Sequence, residues 1–203
     1  MVWGIGTGRC GTMSLAEARN GWHIPITDDS PIREMAIPWA LGHLTEQDEQ
    51  SLLAVLAWWA TTTEYSILVN WYFSYILPLI EKADPNASFV YVWRDPIGTI
   101  TSMIRDSWWF KRDVRPLGDA VVDSDIPFEL LSIMNRYIVT NRIICEYLEN
   151  TSRPYEVLRT ADIGVHTHKG SKKRTVVWRD GAEEKVKIYC RPIVERIHKL
   201  ETR

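Results

Sequence analysis

The chain opens on a short apolar run, Val2 to Ile5, that leads straight into closely spaced glycines, so a strand followed by a tight turn is predicted there. Met13 to Ala18 reads as the start of a helix, and His23 to Thr27 as a second short strand ahead of the polar Asp28-Asp29-Ser30-Pro31. Thr45 with Asp48 has the form of a capping box before Leu52, Leu53, Val55, Leu56 and Trp59, apolar positions at helical spacing. Ile67, Leu68, Trp71, Tyr75, Ile76 and Leu79 keep a similar spacing and predict a second helix from Ser66 to Lys82, which Pro78 kinks or ends early. Phe89 to Trp93 is continuously apolar, β-branched and aromatic, the pattern of a strand buried on both faces of a parallel sheet. Asp125-Pro127 opens a long helix carrying Leu131, Met134, Ile138, Ile144 and Leu148. Tyr155 to Arg159 is a further strand, and Glu183 to Leu200 a last helix with Val186, Tyr189, Ile193, Ile197 and Leu200 on one face. Strands alternating with helices predict an α/β fold, a parallel β-sheet flanked by helices.

Composition narrows the class. At 203 residues, 45% hydrophobic and 25% charged, with no repeat and no linker-like tract, the expectation is one domain, 1–203, with a true core. Lys+Arg 24 against Asp+Glu 26 gives a net charge of -2, a poor match to a nucleic-acid partner. Cys10, Cys145 and Cys190 are odd in number and widely spaced, which argues against a disulfide framework or zinc site and for a cytoplasmic setting. No basic leader precedes Gly4, so no signal peptide is expected. The longest apolar run, Tyr65 to Ile80, is about 16 residues against the roughly 20 of a membrane span, so it is expected to be buried in the protein. The paired Trp58-Trp59 is expected to fill the core.

The chemistry concentrates in two segments. The first is Val2-Trp3-Gly4-Ile5-Gly6-Thr7-Gly8-Arg9-Cys10-Gly11-Thr12-Met13-Ser14, where a strand, a glycine turn and a helix start would gather backbone N–H groups around an oxyanion. Three readings share these residues. A nucleoside-triphosphate loop has Gly6 and Gly11 at the right separation but lacks the lysine and magnesium-binding hydroxyl, since Thr12 and Met13 follow. A dinucleotide fingerprint is matched by Gly6-x-Gly8-x-x-Gly11, with Asp28 or Asp29 as the acidic partner; this is the reading of an NAD-dependent oxidoreductase. The third has Arg9 supply the charge, with the hydroxyls of Thr7, Thr12 and Ser14 holding a sulfuryl or phosphoryl group. Cys10 lies in the same loop, where a lowered thiol pKa is expected.

The second segment is Pro85-Asn86-Ala87-Ser88-Phe89-Val90-Tyr91-Val92-Trp93-Arg94-Asp95-Pro96, with Ser102 eight residues beyond Arg94. An arginine at the end of a buried strand and a downstream serine suit a second phosphate held apart from the first. The plainer alternative is a local Arg94–Asp95 ion pair with Ser102 merely facing a helix.

These two segments in this order resemble the sulfotransferase family, which uses 3'-phosphoadenosine 5'-phosphosulfate (PAPS) as donor. The turn Gly6 to Ser14 is similar to that family's 5'-phosphosulfate loop, and Pro85 to Ser102 to its 3'-phosphate site. The likeness extends more loosely through 127–149, Tyr155 to Asp162 and the last helix. It implies a P-loop-like sulfotransferase fold that moves a sulfuryl group to a hydroxyl or amine and releases adenosine 3',5'-bisphosphate (PAP), without a metal. By position it implies that Arg9 contacts the transferring group, with Thr7, Gly8, Cys10, Gly11, Thr12, Met13 and Ser14 around the 5' end. Arg94 and Ser102 would hold the 3'-phosphate.

The general base is left between His23, ranked first as catalytic, and Asp28 or Asp29. Lys169-Gly170 faintly resembles a basic loop that closes over the 3'-phosphate; a solvated loop is the alternative. His166-x-His168 lacks a third metal ligand at a sensible spacing. Trp108-Trp109-Phe110-Lys111-Arg112 suits an acceptor pocket, a lid hinge or a dimer contact. The acceptor is a small molecule or carbohydrate of open identity, and a non-catalytic nucleotide-binding module is the reading from another class.

Overall fold

The computed structural model describes residues 1–24, 31–105, 120–164, 178 and 181–202. Its strands are β1 (Val2–Ile5), β2 (Trp22–His23), β3 (Ile67–Val69), β4 (Ser88–Trp93) and β5 (Tyr155–Arg159). Its α-helices are α1 (Thr12–Ala18), α2 (Pro31–Ala40), α3 (Glu46–Thr62), α4 (Leu77–Ala83), α5 (Pro96–Arg105), α6 (Phe128–Asn150) and α7 (Ala182–Glu201). The strands form one parallel sheet in the order β2-β3-β1-β4-β5, so the α/β architecture expected from the alternation of elements is present. Because every strand points the same way, the residues that follow β1, β3, β4 and β5 all emerge along one edge of the sheet.

β4 shows why the sequence folds this way. Its side chains alternate, with Phe89, Tyr91 and Trp93 joining Trp3 and Ile5 in the larger core, while Val90 and Val92 join Ile67 and Val69 against Leu15 and Ala16 of α1. Each large apolar side chain taken out of water in this way contributes roughly 1.5–3 kcal/mol. The face under α1 is the tighter one. A Cβ on Gly4 would lie 2.8 Å from Val69 and 2.9 Å from Leu15, so glycine in the middle of β1 lets α1 rest directly on the sheet. On the other face, α6 pins the strands through polar contacts. The Tyr91 hydroxyl donates to Asn141 Oδ1 at 2.5 Å, Tyr75 and Thr140 share a 2.8 Å bond, and the Tyr137 hydroxyl donates to the Arg94 carbonyl at 3.0 Å.

Most predicted elements fall where the patterning puts them. Thr45 caps α3, its hydroxyl accepting the Asp48 N–H at 3.2 Å and donating to Asp48 Oδ2 at 2.7 Å. α6 begins right after Pro127, and α7 buries Val186, Ile193, Ile197 and Leu200. The predicted helix Ser66 to Lys82 is a correction. Ile67–Val69 is strand β3, Trp71–Tyr75 is a 3-10 turn, and only Leu77–Ala83 is α-helical. The apolar residues there satisfy helical spacing, but the register Val2↔Ile67, Trp3↔Leu68, Gly4↔Val69 supplies β3 with a ladder that local spacing cannot reveal. Asn70 then turns the chain, its Oδ1 accepting the Tyr72 N–H and its Nδ2 donating to the Ile24 carbonyl, each at 2.9 Å. Pro78 sits in the first turn of α4, where no N–H is needed, rather than kinking a helix. Trp59 packs on Phe73 with ring centroids 6.2 Å apart, but its neighbour Trp58 is 60% exposed and fills no core. The second predicted strand is realised at Trp22–His23, and Pro25 to Thr27 lie outside the described residues. No helix among the described residues is long and apolar enough to cross a membrane.

Ser74 is fully buried and clamps the end of β1, its Oγ accepting the Gly6 N–H at 3.1 Å and donating to the Gly6 carbonyl at 2.9 Å. Ser74→Ala strands both backbone groups and should lower the unfolding free energy by about 1–3 kcal/mol. The measurement is urea unfolding, where the midpoint should fall with the slope unchanged; an unmoved midpoint would show that the clamp adds nothing.

Candidate functional site

The loop after β1 is built by backbone that few residues adopt. Gly8, Arg9 and Gly11 all have positive φ, at 76, 57 and 102°, and Arg9 alone among them carries a Cβ there. Such a conformation costs a non-glycine residue of order 1–3 kcal/mol and persists where its surroundings hold it. Gly11 stands before α1, which has no side-chain cap, so the first N–H groups of the helix open toward the same space as the loop. Thr7, Thr12 and Ser14 are all buried around this turn. Cys10 differs from expectation. Its thiol is fully buried against Leu15 and Val92, and burial pushes its pKa up rather than down, outweighing the hydrogen bonds from Thr7 and Gly8. The side chain of Cys10 is a core group, and only its backbone belongs to the loop.

The second motif meets the first directly. Arg9 Nε donates to Ser102 Oγ at 3.1 Å, joining residues 93 positions apart. Ser102 lies on α5, whose first turn is held by Asp95 Oδ1 accepting the Gly98 N–H at 2.6 Å. The Arg94–Asp95 ion pair is loose, 3.9 Å between Nε and Oδ2 with both side chains well exposed, so Asp95 leaves most of the Arg94 charge uncompensated. Ser102 therefore bridges the two motifs instead of merely facing a helix.

Together these residues line a cleft of about 580 Å³ along the carboxyl edge of the sheet. Gly8, Arg9, Gly11, Thr12, Met13, Ser14, His23 and Arg94 line it, all of them residues that the sequence singles out. Thr7 and Cys10 lie beneath the loop and do not appear among its lining residues, and Ser102 reaches the cleft through Arg9. His23 sits at the end of β2 with Nε2 3.5 Å from Thr12 Oγ1, and burial lowers its pKa below the ordinary 6.5, so the imidazole is neutral at pH 7. Asp28, Asp29, Lys169, Gly170, His166, His168 and Trp108 to Arg112 lie outside the described residues. Among the described residues no group of three or more His, Cys, Asp or Glu side chains is placed to hold a metal ion.

Sequence reasoning missed Trp71, Trp93, Asp95, Arg159, Thr160 and Ala161 as lining residues. Their common signal is position, since each lies at or just past the carboxyl end of β3, β4 or β5. Thr160 ties the site together. Its hydroxyl contacts the carbonyls of Cys10 and, at 3.0 Å, Trp93, and a Cβ on Gly11 would lie 2.9 Å from its Cγ2. The glycine-rich loop is thus moulded against the turn after β5. Next to it, Arg159 is held by Glu201 from the last turn of α7, in a bidentate pair at 2.9 and 2.9 Å. Trp93 Nε1 donates to the same carboxylate at 2.9 Å, and His198 Nδ1 lies 2.8 Å from it. The Arg159 hydrogen bonds, aided by His198 and Trp93, bring the Glu201 pKa down from 4.5 to about 2.

Two expectations follow. A carboxylate with a lowered folded-state pKa stabilises the fold above its ordinary value and loses that contribution as pH falls, here between about 4.5 and about 2. The difference in unfolding free energy between wild type and Glu201→Gln should therefore shrink through that window, and a pH-independent difference would contradict it. Thr160→Val removes the hydroxyl at constant shape; hydrogen exchange at the amides of residues 8–12 should speed up while that of β4 stays as it was.

Comparison of the chain with family models, with curated proteins and with solved structures found no match.

Proposed function

We propose that this protein is a sulfotransferase that moves the sulfuryl group of PAPS to a hydroxyl or amine of a small-molecule or carbohydrate acceptor. The observation that carries the reading is the convergence on one cleft of Arg9, from the loop after β1, and Arg94, from the end of β4, with Arg9 hydrogen-bonded to Ser102 of the helix that follows Arg94. A ligand with two separated anionic groups needs two cationic grips at one site, and a cleft of about 580 Å³ is of the size that holds a nucleotide. The absence of a lysine and a magnesium-binding hydroxyl after Gly11 favours sulfuryl over metal-assisted phosphoryl chemistry. Strand order counts against the dinucleotide reading. β3 stands between β1 and β2, whereas the dinucleotide fold has β2 beside β1. Three buried free cysteines suit a cytoplasmic setting.

In this reading the loop, Arg9 and the hydroxyls of Thr12 and Ser14 orient the sulfuryl group, while Arg94 holds the 3'-phosphate. The S–O bond to the departing phosphate breaks as a new S–O or S–N bond forms to the acceptor hydroxyl or amine, and the charge appearing on the phosphate is met by Arg9. The acceptor proton passes to the neutral imidazole of His23, which stands beside Thr12 at the flank opposite Arg94 and Arg159. Trp71 and Met13 add apolar surface to the cleft for the acceptor.

Calorimetric titration with PAP, NAD and ATP tests the reading: PAP should bind selectively, and a preference for NAD would overturn it. Arg94→Ala should cost about 1.5–3 kcal/mol of PAP affinity, the scale of a lost hydrogen bond to a charged group. Arg9→Ala should reduce turnover more than PAP binding. With His23 as base, the acid limb of kcat/KM should fall below pH 6.5, because its pKa lies under that value, and His23→Gln should remove the limb.

A further inference from the structure

We infer that Arg159 is a stacking plate for the nucleobase of the bound donor. This rests on the reading of the cleft as a nucleotide site, and adds to it how the base is recognised.

The argument starts from what the Arg159 guanidinium has already committed. Its Nε and Nη2 donate to the two Glu201 oxygens, each at 2.9 Å, and Nη2 also lies 3.2 Å from His198 Nδ1. Its charge is matched by a carboxylate that stays ionised, and Trp93 and His198 fix that carboxylate in turn. One side of the group is covered as well, with Cζ 5.4 Å from the Trp93 ring centroid. The side chain is still 51% exposed and lines the cleft. A guanidinium whose Nε–Nη2 edge and charge are already engaged by a carboxylate is a weaker grip for an anion than one loosely paired. What it offers the cleft is a flat, rigid face, and guanidinium planes stack on nucleobases.

Arg94 presents the reverse arrangement, its charge loosely matched by Asp95 at 3.9 Å, and that suits a phosphate. β4 and β5 are adjacent and Arg159 is in register with Trp93, so Arg94 follows one residue beyond the position opposite Arg159. A nucleoside 3'-phosphate could then set its phosphate at the end of β4 and its base at the end of β5. Ala161, two residues past Arg159, is small and leaves room beside the plate.

The experiment compares two probes by calorimetry, PAP and an abasic analogue in which a tetrahydrofuran ring carries the 3'- and 5'-phosphates. Arg159→Lys keeps the charge facing Glu201 and removes the plane; Arg159→Leu removes both. Each variant should bind PAP between about five- and a hundredfold more weakly, the range of a lost base stack. The abasic bisphosphate should bind as it does to wild type, which also reports that the fold is intact. Equal losses for both probes would overturn the inference by making Arg159 a phosphate ligand, and unchanged PAP affinity would overturn it outright. If wild type binds 5'-AMP as tightly as PAP and Arg159→Lys still weakens it, the stacking plate stands while the two-phosphate donor falls.

Discussion

Strand β1 runs between β3 and β4 with α1 lying directly upon it, and that close approach determines the rest of the cleft. Gly4 makes it possible by leaving Leu15 and Val69 the space that any side chain would take. Once α1 is seated, the chain between Ile5 and Thr12 has no freedom to spread, and the left-handed turns at Gly8, Arg9 and Gly11 are its route back to the helix. Ser74 holds the loop from one side and Thr160 from the other. The strain at Arg9 is thus maintained by packing on three sides, and it aims a guanidinium at α5.

Electrostatics at this edge is local rather than global. The protein carries a net charge of -2, yet Arg9, Arg94 and Arg159 all line one cleft. The acids nearby differ in what they do with that charge. Asp95 spends its hydrogen-bonding capacity on the first turn of α5 and leaves Arg94 largely uncompensated, whereas Glu201 takes Arg159 in a full bidentate pair. Side chains of one type thereby acquire different work from their second partners alone.

What could be read in the sequence was whatever is written locally. The continuous apolar run Phe89-Val90-Tyr91-Val92-Trp93, the capping pair Thr45 and Asp48, and the apolar face of α7 each appear as predicted. Arg9 and Arg94 stood out because each sits in a short dense motif, and both line the cleft. The segment 66–82 departs from its helical pattern because β3 exists through its pairing with β1, more than sixty residues earlier, and the spacing of Ile67, Leu68 and Trp71 is blind to that. Thr160 and Arg159 were invisible for a related reason. Nothing in Leu158-Arg159-Thr160-Ala161 announces a site; strand order brings the end of β5 beside the glycine loop. Cys10 departs from expectation because a loop position says nothing about which way a side chain turns, and this one turns into the core.

The grip of Glu201 on Arg159 also sets an order in time. The glycine loop precedes α7, the last of the described helices, in the order of synthesis. Until α7 folds back on α6, Arg159 has no carboxylate to hold it and Trp93 has no acceptor for its indole N–H. A nascent chain therefore carries the loop before the Glu201 side of the cleft exists, and the cleft takes its final form only when α7 has docked.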